Sequence, residues 1–172
     1  MELDEAIKGR RSIRSYKPED VPDTIVEKLI EAATYAPSAG NIQPWRFVIA
    51  RNAAAKKELA EAANQTWIKE APVVIVVCAN EKRAEMGYGG RGRTLYCIQD
   101  TAAAIQNIHL TAYALGLGTC WIGAFSEDQA RKVVNAPEEM MPVGMVSVGY
   151  PDEASSQRNR RPLSHILHHE SF

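Results

Sequence analysis

The chain has 172 residues, 20 basic against 21 acidic side chains for a net charge of −1, and 45% apolar residues. That length suits one domain able to bury roughly 70% of its unfolded surface without disulfides or a structural metal, and the near-zero charge supplies no field to draw nucleic acid or an anionic membrane. Cys78, Cys97 and Cys120 are widely spaced with no CxxC pair, the usage of a reducing compartment; with no basic-then-apolar leader and no apolar run of about 18 residues, the expected location is the cytoplasm.

Residues 3–9 suit a short helix, and Arg10 to Lys17 is a basic, extended connection. Pro22 and Asp23 mark a helix start. Ile25, Leu29, Ile30 and Ala33 then recur at helical spacing as far as Tyr35. Pro37, Gly40 and Pro44 break that helix into an ordered loop. Arg46–Ala50 reads as a strand and residues 53–63 as an Ala-rich helix. Val73–Ala79 is a continuous β-branched run, the pattern of a central strand covered on both faces. A polar, glycine-rich loop is expected from Asn80 to Arg93. Leu95–Leu115 reads as a long helix, apolar on nearly every face and so buried, ended by Gly116 and Gly118. A strand over Thr119–Ile122, a helix over Glu127–Val134 and a strand over Val143–Val148 follow. A polar tail runs from Asp152 and holds a short Pro162-led helix. This order suits a single α+β domain over residues 1–172, three layers deep, with a central mixed sheet flanked by helices. Four strands leave two edges to protect, and a helix apolar all round needs more cover than one small domain supplies. Both features point to a homodimer.

Gly87-Tyr88-Gly89-Gly90-Arg91-Gly92 matches the G-x-G-x-x-G pattern. In a dinucleotide-binding turn those glycines follow the strand directly and present a helix N-terminus to the pyrophosphate. Here the seven residues Asn80 to Met86 intervene. The region about twenty residues on, His109 to Ala112, falls inside the long helix rather than at a second strand end. The segment reads as a surface loop, and a Rossmann-type NAD dehydrogenase using Gly87–Gly92 stands as an alternative function.

The chemistry concentrates elsewhere. Arg10-Arg11-Ser12-Ile13-Arg14 packs three cations and a hydroxyl into five residues. In an extended backbone Arg10, Ser12 and Arg14 point the same way, a forked anion clamp whose charge-assisted bonds each contribute about 1.5–3 kcal/mol. Arg158, Arg160 and Arg161 form a second cation cluster near the other end, and both clusters suit one phosphate dianion. In Ala36-Pro37-Ser38-Ala39-Gly40-Asn41-Ile42-Gln43-Pro44-Trp45, two prolines stiffen the backbone and Gly40 permits a positive φ. Ser38, Asn41 and Gln43 offer hydroxyl and amide groups that read the polar edge of a planar heterocycle. His165, His168 and His169 read as a solvated terminal segment, His109 as a core or interface residue, and Cys120 as a packing thiol. No metal site and no Ser-His-Asp set is expected.

Together with Gln99-Asp100-Thr101-Ala102-Ala103-Ala104 and Gly116-Leu117-Gly118-Thr119-Cys120-Trp121-Ile122-Gly123, these motifs resemble, in the same order, the flavin-binding nitroreductase family over about Met1 to Leu167. The resemblance implies an entwined α+β homodimer with FMN at the subunit interface and NAD(P)H as electron donor. Arg10, Arg11, Ser12 and Arg14 would hold phosphate, ribityl and pyrimidine edge, with Arg158 and Arg160 completing the phosphate clamp. Pro37, Ser38, Ala39, Asn41 and Gln43 would come from the other subunit, and Asn64 and Gln65 would supply an amide contact. Backbone groups of Cys120, Trp121, Ile122 and Gly123 would lie against the isoalloxazine. The implied activity is an FMN-dependent NAD(P)H oxidoreductase that reduces nitroaromatics, quinones or similar flat small-molecule acceptors by two-step hydride exchange at flavin N5, with no catalytic side chain. A non-catalytic FMN storage or sensor module is a further alternative. The chain lacks the helical insertion that partly covers the flavin in larger members.

Overall fold

In the computed structural model, which describes residues 1–172, the apolar run after Pro72 becomes the middle of the sheet. The strands are β1 (Trp45–Ala50), β2 (Val73–Asn80), β3 (Gly118–Ile122) and β4 (Met140–Gly149), in the order β1-β2-β4-β3. Val73 to Val77 are wholly buried, because β2 is covered on both faces; each such side chain contributes roughly 1.5–3 kcal/mol of burial.

Six helices cover the sheet: α1 (Leu3–Gly9), α2 (Asp23–Thr34), α3 (Ala53–Ala62), α4 (Glu81–Arg91), α5 (Cys97–Ala114) and α6 (Glu127–Val133). On one face Leu29 of α2 and Ile105 and Ile108 of α5 pack against Val73, Ile75 and Val77. On the other, Leu59 of α3 and Ala130 of α6 pack against Val74, Val76 and Met145. The strict alternation along β2 sorts its side chains between the two cores. The three-layer α+β expectation therefore holds.

The sheet itself is not mixed: β1 with β2, β2 with β4, and β3 with β4 are all antiparallel. Alternating strands and helices suggest parallel crossovers between neighbours, but here the excursions from β1 to β2 and from β3 to β4 return to the end they left, and only that from β2 to β3 crosses the sheet. β1 finishes at Ala50 opposite Val74, near the start of β2. The passage through α3 and the 3-10 turn Thr66–Glu70 goes out and comes back. β2 and β3 do run the same way, but β4 lies between them.

The segment Asn80 to Arg93 is helical, not a loop. Asn80 caps α4 by accepting from the Arg83 N–H at 2.8 Å. The helix breaks at Tyr88 and Gly89, the latter at φ +56°, and passes through a π-helical turn, Gly92–Tyr96, into α5. A Cβ at Gly92 would lie 2.2 Å from the Ala84 carbonyl oxygen. That glycine is there to let two helical turns touch. The G-x-G-x-x-G match thus sits inside helix, away from any strand end, and the Rossmann alternative falls with it. α5 buries one face through Ala104, Ile105, Ile108 and Ala112, whereas Ile98 in its first turn is 43% exposed. Burial all round is not reached within one protomer.

After α1 the chain docks on the free edge of β3. Ser12 forms a parallel bridge with Thr119, and the Ile13 N–H donates to the Thr119 carbonyl at 2.9 Å. Tyr16 bridges Pro151, and the Lys17 N–H donates to the Tyr150 carbonyl at 2.9 Å. Ile13 and Tyr16 enter the α3/α6 core. The fit is close at Gly118, where a Cβ would lie 2.8 Å from two Ile13 carbons. Gly118→Ala is expected to destabilise the fold by about 1–3 kcal/mol through overpacking, read by urea unfolding. A change below about 0.5 kcal/mol, the size of an ordinary surface substitution, would contradict this packing.

Candidate functional site

The edge docking sets where the arginines go. Ile13 turns into the core, and Ser12 and Arg14 on either side of it are exposed, with Arg10 half-buried. β4 continues past Gly149 into Pro151 and Asp152, whose N–H donates to the Ser15 carbonyl at 3.0 Å. The tail therefore leaves β4 beside the same segment. The result is a cavity of about 550 Å³ into which Arg10, Arg11, Arg14, Arg158 and Arg160 converge. Sequence reasoning expected the two arginine clusters to share one anion, and the fold brings them together.

None of these five guanidiniums is paired with a carboxylate. The one acid in the cavity is Glu153, and its Oε1 already accepts from the backbone N–H groups of Arg14 and Ser15. Glu153 thereby pins the tail to the N-terminal segment instead of neutralising the arginines. Sequence reasoning missed this residue, because a lone Glu in a polar tail carries no local signal. Arg11 has a structural task as well: its Nη1 donates to the carbonyls of Lys8 at 2.5 Å and Arg10 at 2.7 Å, closing the end of α1.

Beneath the segment lies a buried polar network. The Tyr16 hydroxyl donates to the Ile13 carbonyl at 2.5 Å and lies 2.7 Å from Ser147 Oγ. Burial pushes the Tyr16 phenol well above its ordinary value, with the Ser147 bond opposing the shift, so it stays protonated. Cys120, on the same side of β3, is buried. Burial also pushes its thiol up, against the lowering effect of Arg14 and Ser12. Burial raises the Cys78 thiol to about 11 and the Cys97 thiol in the same direction. None of the three is a thiolate nucleophile at neutral pH.

Next to Cys120 on β3, Trp121 is 40% exposed and Ile122 is buried; Gly123 follows at the exposed strand end. Beyond the bridge to Ser12, the outer edge of β3 has no strand partner. Asn64, at φ +50°, and Gln65 sit in the turn after α3. They line a separate cavity, of about 250 Å³, between Lys57 and Lys69. Gln65 is tied to the arginine segment through Trp67: Trp67 Nε1 donates to Gln65 Oε1 at 3.2 Å, and the Arg14 guanidinium lies 5.8 Å over the Trp67 ring. Trp67 is a second residue that sequence reasoning missed.

The loop carrying Pro37, Ser38, Ala39, Asn41 and Gln43 is at the opposite edge of the sheet. Gly40, Asn41 and Gln43 all have positive φ, between 53° and 55°, a conformation that costs non-glycine residues energy and clusters at functional sites. The loop is held from three sides. Ser38 Oγ accepts from the Gln43 N–H at 3.0 Å. Buried Asp100 of α5 accepts from the Ala39 N–H at 3.1 Å, and its carboxyl is raised by burial, with that bond opposing. From α4, Arg83 Nε donates to the Ile42 carbonyl at 2.7 Å, and Tyr88 covers Gly40. Gln43 Nε2 donates to Asn41 Oδ1 at 2.8 Å, so the two exposed amides are ordered together. β1, which the loop leads into, is separated from β3 by three strand spacings, roughly 14 Å. No loop residue lines the arginine cavity.

His109 of α5 lies behind β3, 2% exposed. Its Nδ1 is 2.6 Å from Thr119 Oγ1, its ring stacks on Trp121 at 5.9 Å, and its Nε2 has no protein partner. The expectation of a satisfied core histidine thus holds for one nitrogen. Burial, with the nearby Arg10 charge adding to it, pushes the imidazole down to about 4.

The sequence profile of the nitroreductase family matches residues 7–70 and 60–150. A Methanothermobacter thermautotrophicus protein, named as a candidate NADH dehydrogenase/NAD(P)H nitroreductase, is 35% identical over 164 residues, covering 92% of this chain and 82% of its own. FMN reductase [NAD(P)H] of Bacillus subtilis is 29% identical over 99% of this chain and 74% of its own. The structure of NADPH:FMN oxidoreductase from Vibrio harveyi in complex with NAD+ superposes with a TM-score of 0.90 at 25% identity, over 99% of this chain and 77% of that one.

His109 makes stability depend on pH. The unfolded chain takes up this proton near pH 6.5, the folded chain only near 4. Stability is therefore complete above about 6.5 and is lost as pH falls toward 4, by on the order of 3 kcal/mol. Urea unfolding between pH 7 and pH 4.5 should show this slope in the parent and a flatter one in His109→Gln. Identical slopes would contradict the assignment.

Proposed function

The chain belongs to the nitroreductase family, and on that footing we propose that it is an FMN-dependent NAD(P)H oxidoreductase of flat aromatic acceptors such as nitroaromatics and quinones, with its site completed by a second copy. The observation that carries this reading is the cavity of five arginines without a carboxylate partner. Guanidiniums in such number, drawn from both ends of the chain, suit a phosphate dianion, which they bind bidentately. The donor set fits FMN: cations for the phosphate, Ser12 beside them for the ribityl chain, and an unpartnered strand edge at Ile122 and Gly123 for a flat ring.

FMN, when bound, would supply the hydride exchange between NAD(P)H and the acceptor. The protein's own residues bind and orient. Arg10, Arg158 and Arg160 fix the phosphate, and Arg11 contributes while closing α1. Arg14, held against Trp67, places a positive charge toward the ring's pyrimidine edge, and Gln65 holds Trp67 in turn. His109 stays neutral behind the strand and adds no competing charge. With every cysteine buried and protonated, none of the three thiols is a candidate for the reactive group.

The loop with Ser38, Asn41 and Gln43 leads into the opposite edge strand and lines no part of the arginine cavity. Its ordered, outward-facing amides suit the cofactor of a neighbouring copy. The open face of α5 and the exposed tail, where Leu163, Ile166 and Leu167 face solvent, supply apolar surface for such a homodimer.

Two experiments test the reading. Arg10→Ala is expected to weaken FMN binding by about 1.5–3 kcal/mol in a fluorescence titration, and an unchanged dissociation constant would reject the shared clamp. Steady-state consumption of NADH and NADPH, with a nitroaromatic and a quinone as acceptors, is expected to show turnover by the FMN-loaded protein. Bound FMN without turnover would replace the enzyme with the storage or sensor module.

A further inference from the structure

Gly87, Gly89 and Gly92 each have a task within the protomer. A Cβ at Gly87 would lie 2.2 Å from Ile42 Cδ1, Gly89 has φ +56°, and Gly92 admits the Ala84 carbonyl. Gly90 has no such task. Its backbone is helical, and a Cβ there would meet nothing within 4 Å. An exposed glycine in a helix costs stability relative to alanine, so the protomer by itself gives no reason for this one. Its bare backbone leaves room for a molecule to lie against the outside of α4.

Beside that space stands a row of rings. Tyr88 packs on Gly40 of the amide loop. Tyr96 meets Tyr88 edge to face, with ring centres 5.4 Å apart, and the Arg91 guanidinium lies 5.3 Å over the Tyr96 ring. Arg91 Nε donates to the Tyr96 hydroxyl oxygen at 3.0 Å, which fixes the guanidinium and leaves its two Nη groups free. The other arginines of this stretch are engaged: Arg83 donates to the Ile42 carbonyl, and Arg93 faces Glu81 at 3.7 Å. Arg91 is exposed and has no carboxylate partner.

We propose that Arg91 selects electron acceptors that carry a carboxylate on a flat ring. The ring would lie against Tyr88 and the bare Gly90 backbone, and the carboxylate would take the two free Nη groups. This rests on the reading that the loop of Ser38, Asn41 and Gln43 serves the cofactor of a neighbouring copy. Tyr88 touches that loop, so the row stands beside that cofactor. A guanidinium binds a carboxylate through two parallel N–H···O bonds, and one held flat on an aromatic ring keeps the edge that makes them open. The charge count favours a carboxylate here over the phosphates of the electron donor. Five arginines converge on the cavity assigned to a phosphate dianion, whereas this row holds one free cation among rings, enough for a single negative charge. Arg91 lines no part of the arginine cavity, so it reads the acceptor without holding the cofactor's phosphate.

The test compares para-nitrobenzoate with para-nitrobenzamide, which has nearly the same shape and no charge, as acceptors for the FMN-saturated protein. Arg91→Met keeps a long side chain without the charge. It is expected to lower kcat/KM for the benzoate about tenfold, the loss of one charge-assisted pair, and to leave kcat/KM for the amide and the FMN dissociation constant little changed. In the parent, added salt should lower kcat/KM for the benzoate more than for the amide. Equal loss for both acceptors in Arg91→Met, or loss for neither, would overturn the inference and leave the FMN reading intact, as would a parent in which salt acts alike on both. A parent that binds FMN but reduces neither acceptor would overturn the enzymatic reading as well. The salt comparison decides the matter even if Arg91→Met does not fold.

Discussion

The contact on which this molecule's site depends is the docking of residues 12–17 on the open edge of β3 and the end of β4. It consists of a few backbone hydrogen bonds, each contributing about 0.5–1.5 kcal/mol, and the burial of Ile13 and Tyr16. Together they turn a basic stretch that would otherwise be mobile into a fixed array. Ile13 in the core dictates that its neighbours face outward. The parallel sense of the Ser12–Thr119 bridge decides which arginine lies at which end. Glu153, bonded to the Arg14 and Ser15 amides, then brings the tail and its arginines to the same place. Five like charges gathered around a single carboxylate, Glu153, work against folding, so a bound anion would relieve a cost that the fold itself creates and stabilise the native state by mass action.

A second constraint is the width of the sheet. The stiff amide loop leads into one edge strand and the arginines lie on the other. Asp100, Arg83 and Tyr88 hold the loop in a backbone conformation that its own residues disfavour. Such support is hard to explain for a loop that touches only solvent. The proposed site formed from two copies would give both edges a use and would cover apolar surface that a single protomer leaves open.

What was legible in the sequence follows from how local each signal is. The β-branched run of β2, the helical periodicity of α2 and the long α5 need only neighbouring residues, and all three stand where they were expected. So does the convergence of the arginine clusters, though its cause, Glu153, is a contact across 139 residues that no local pattern reports. Strand direction was misjudged because it depends on whether an excursion crosses the sheet or returns, which α3 and its following turn do not reveal. The segment Asn80 to Arg93 was misread because four glycines normally mark a loop. Here Gly92 serves helix contact and Gly89 the break between two helical pieces. Trp67, and the task of Asp100 within its motif, escaped notice for a similar reason: one stacks on a charge and the other holds a loop, and neither role has a spacing.

The buried protonated thiols and the neutral His109 accord with the proposal that the chemistry belongs to a bound group, with the protein as its holder. The most direct test is sedimentation velocity of the protein after incubation with excess FMN and desalting, followed at flavin absorbance. The account predicts that the flavin signal travels with a species of two chains, one flavin per chain. Flavin on a single chain, or a colourless protein, would contradict it.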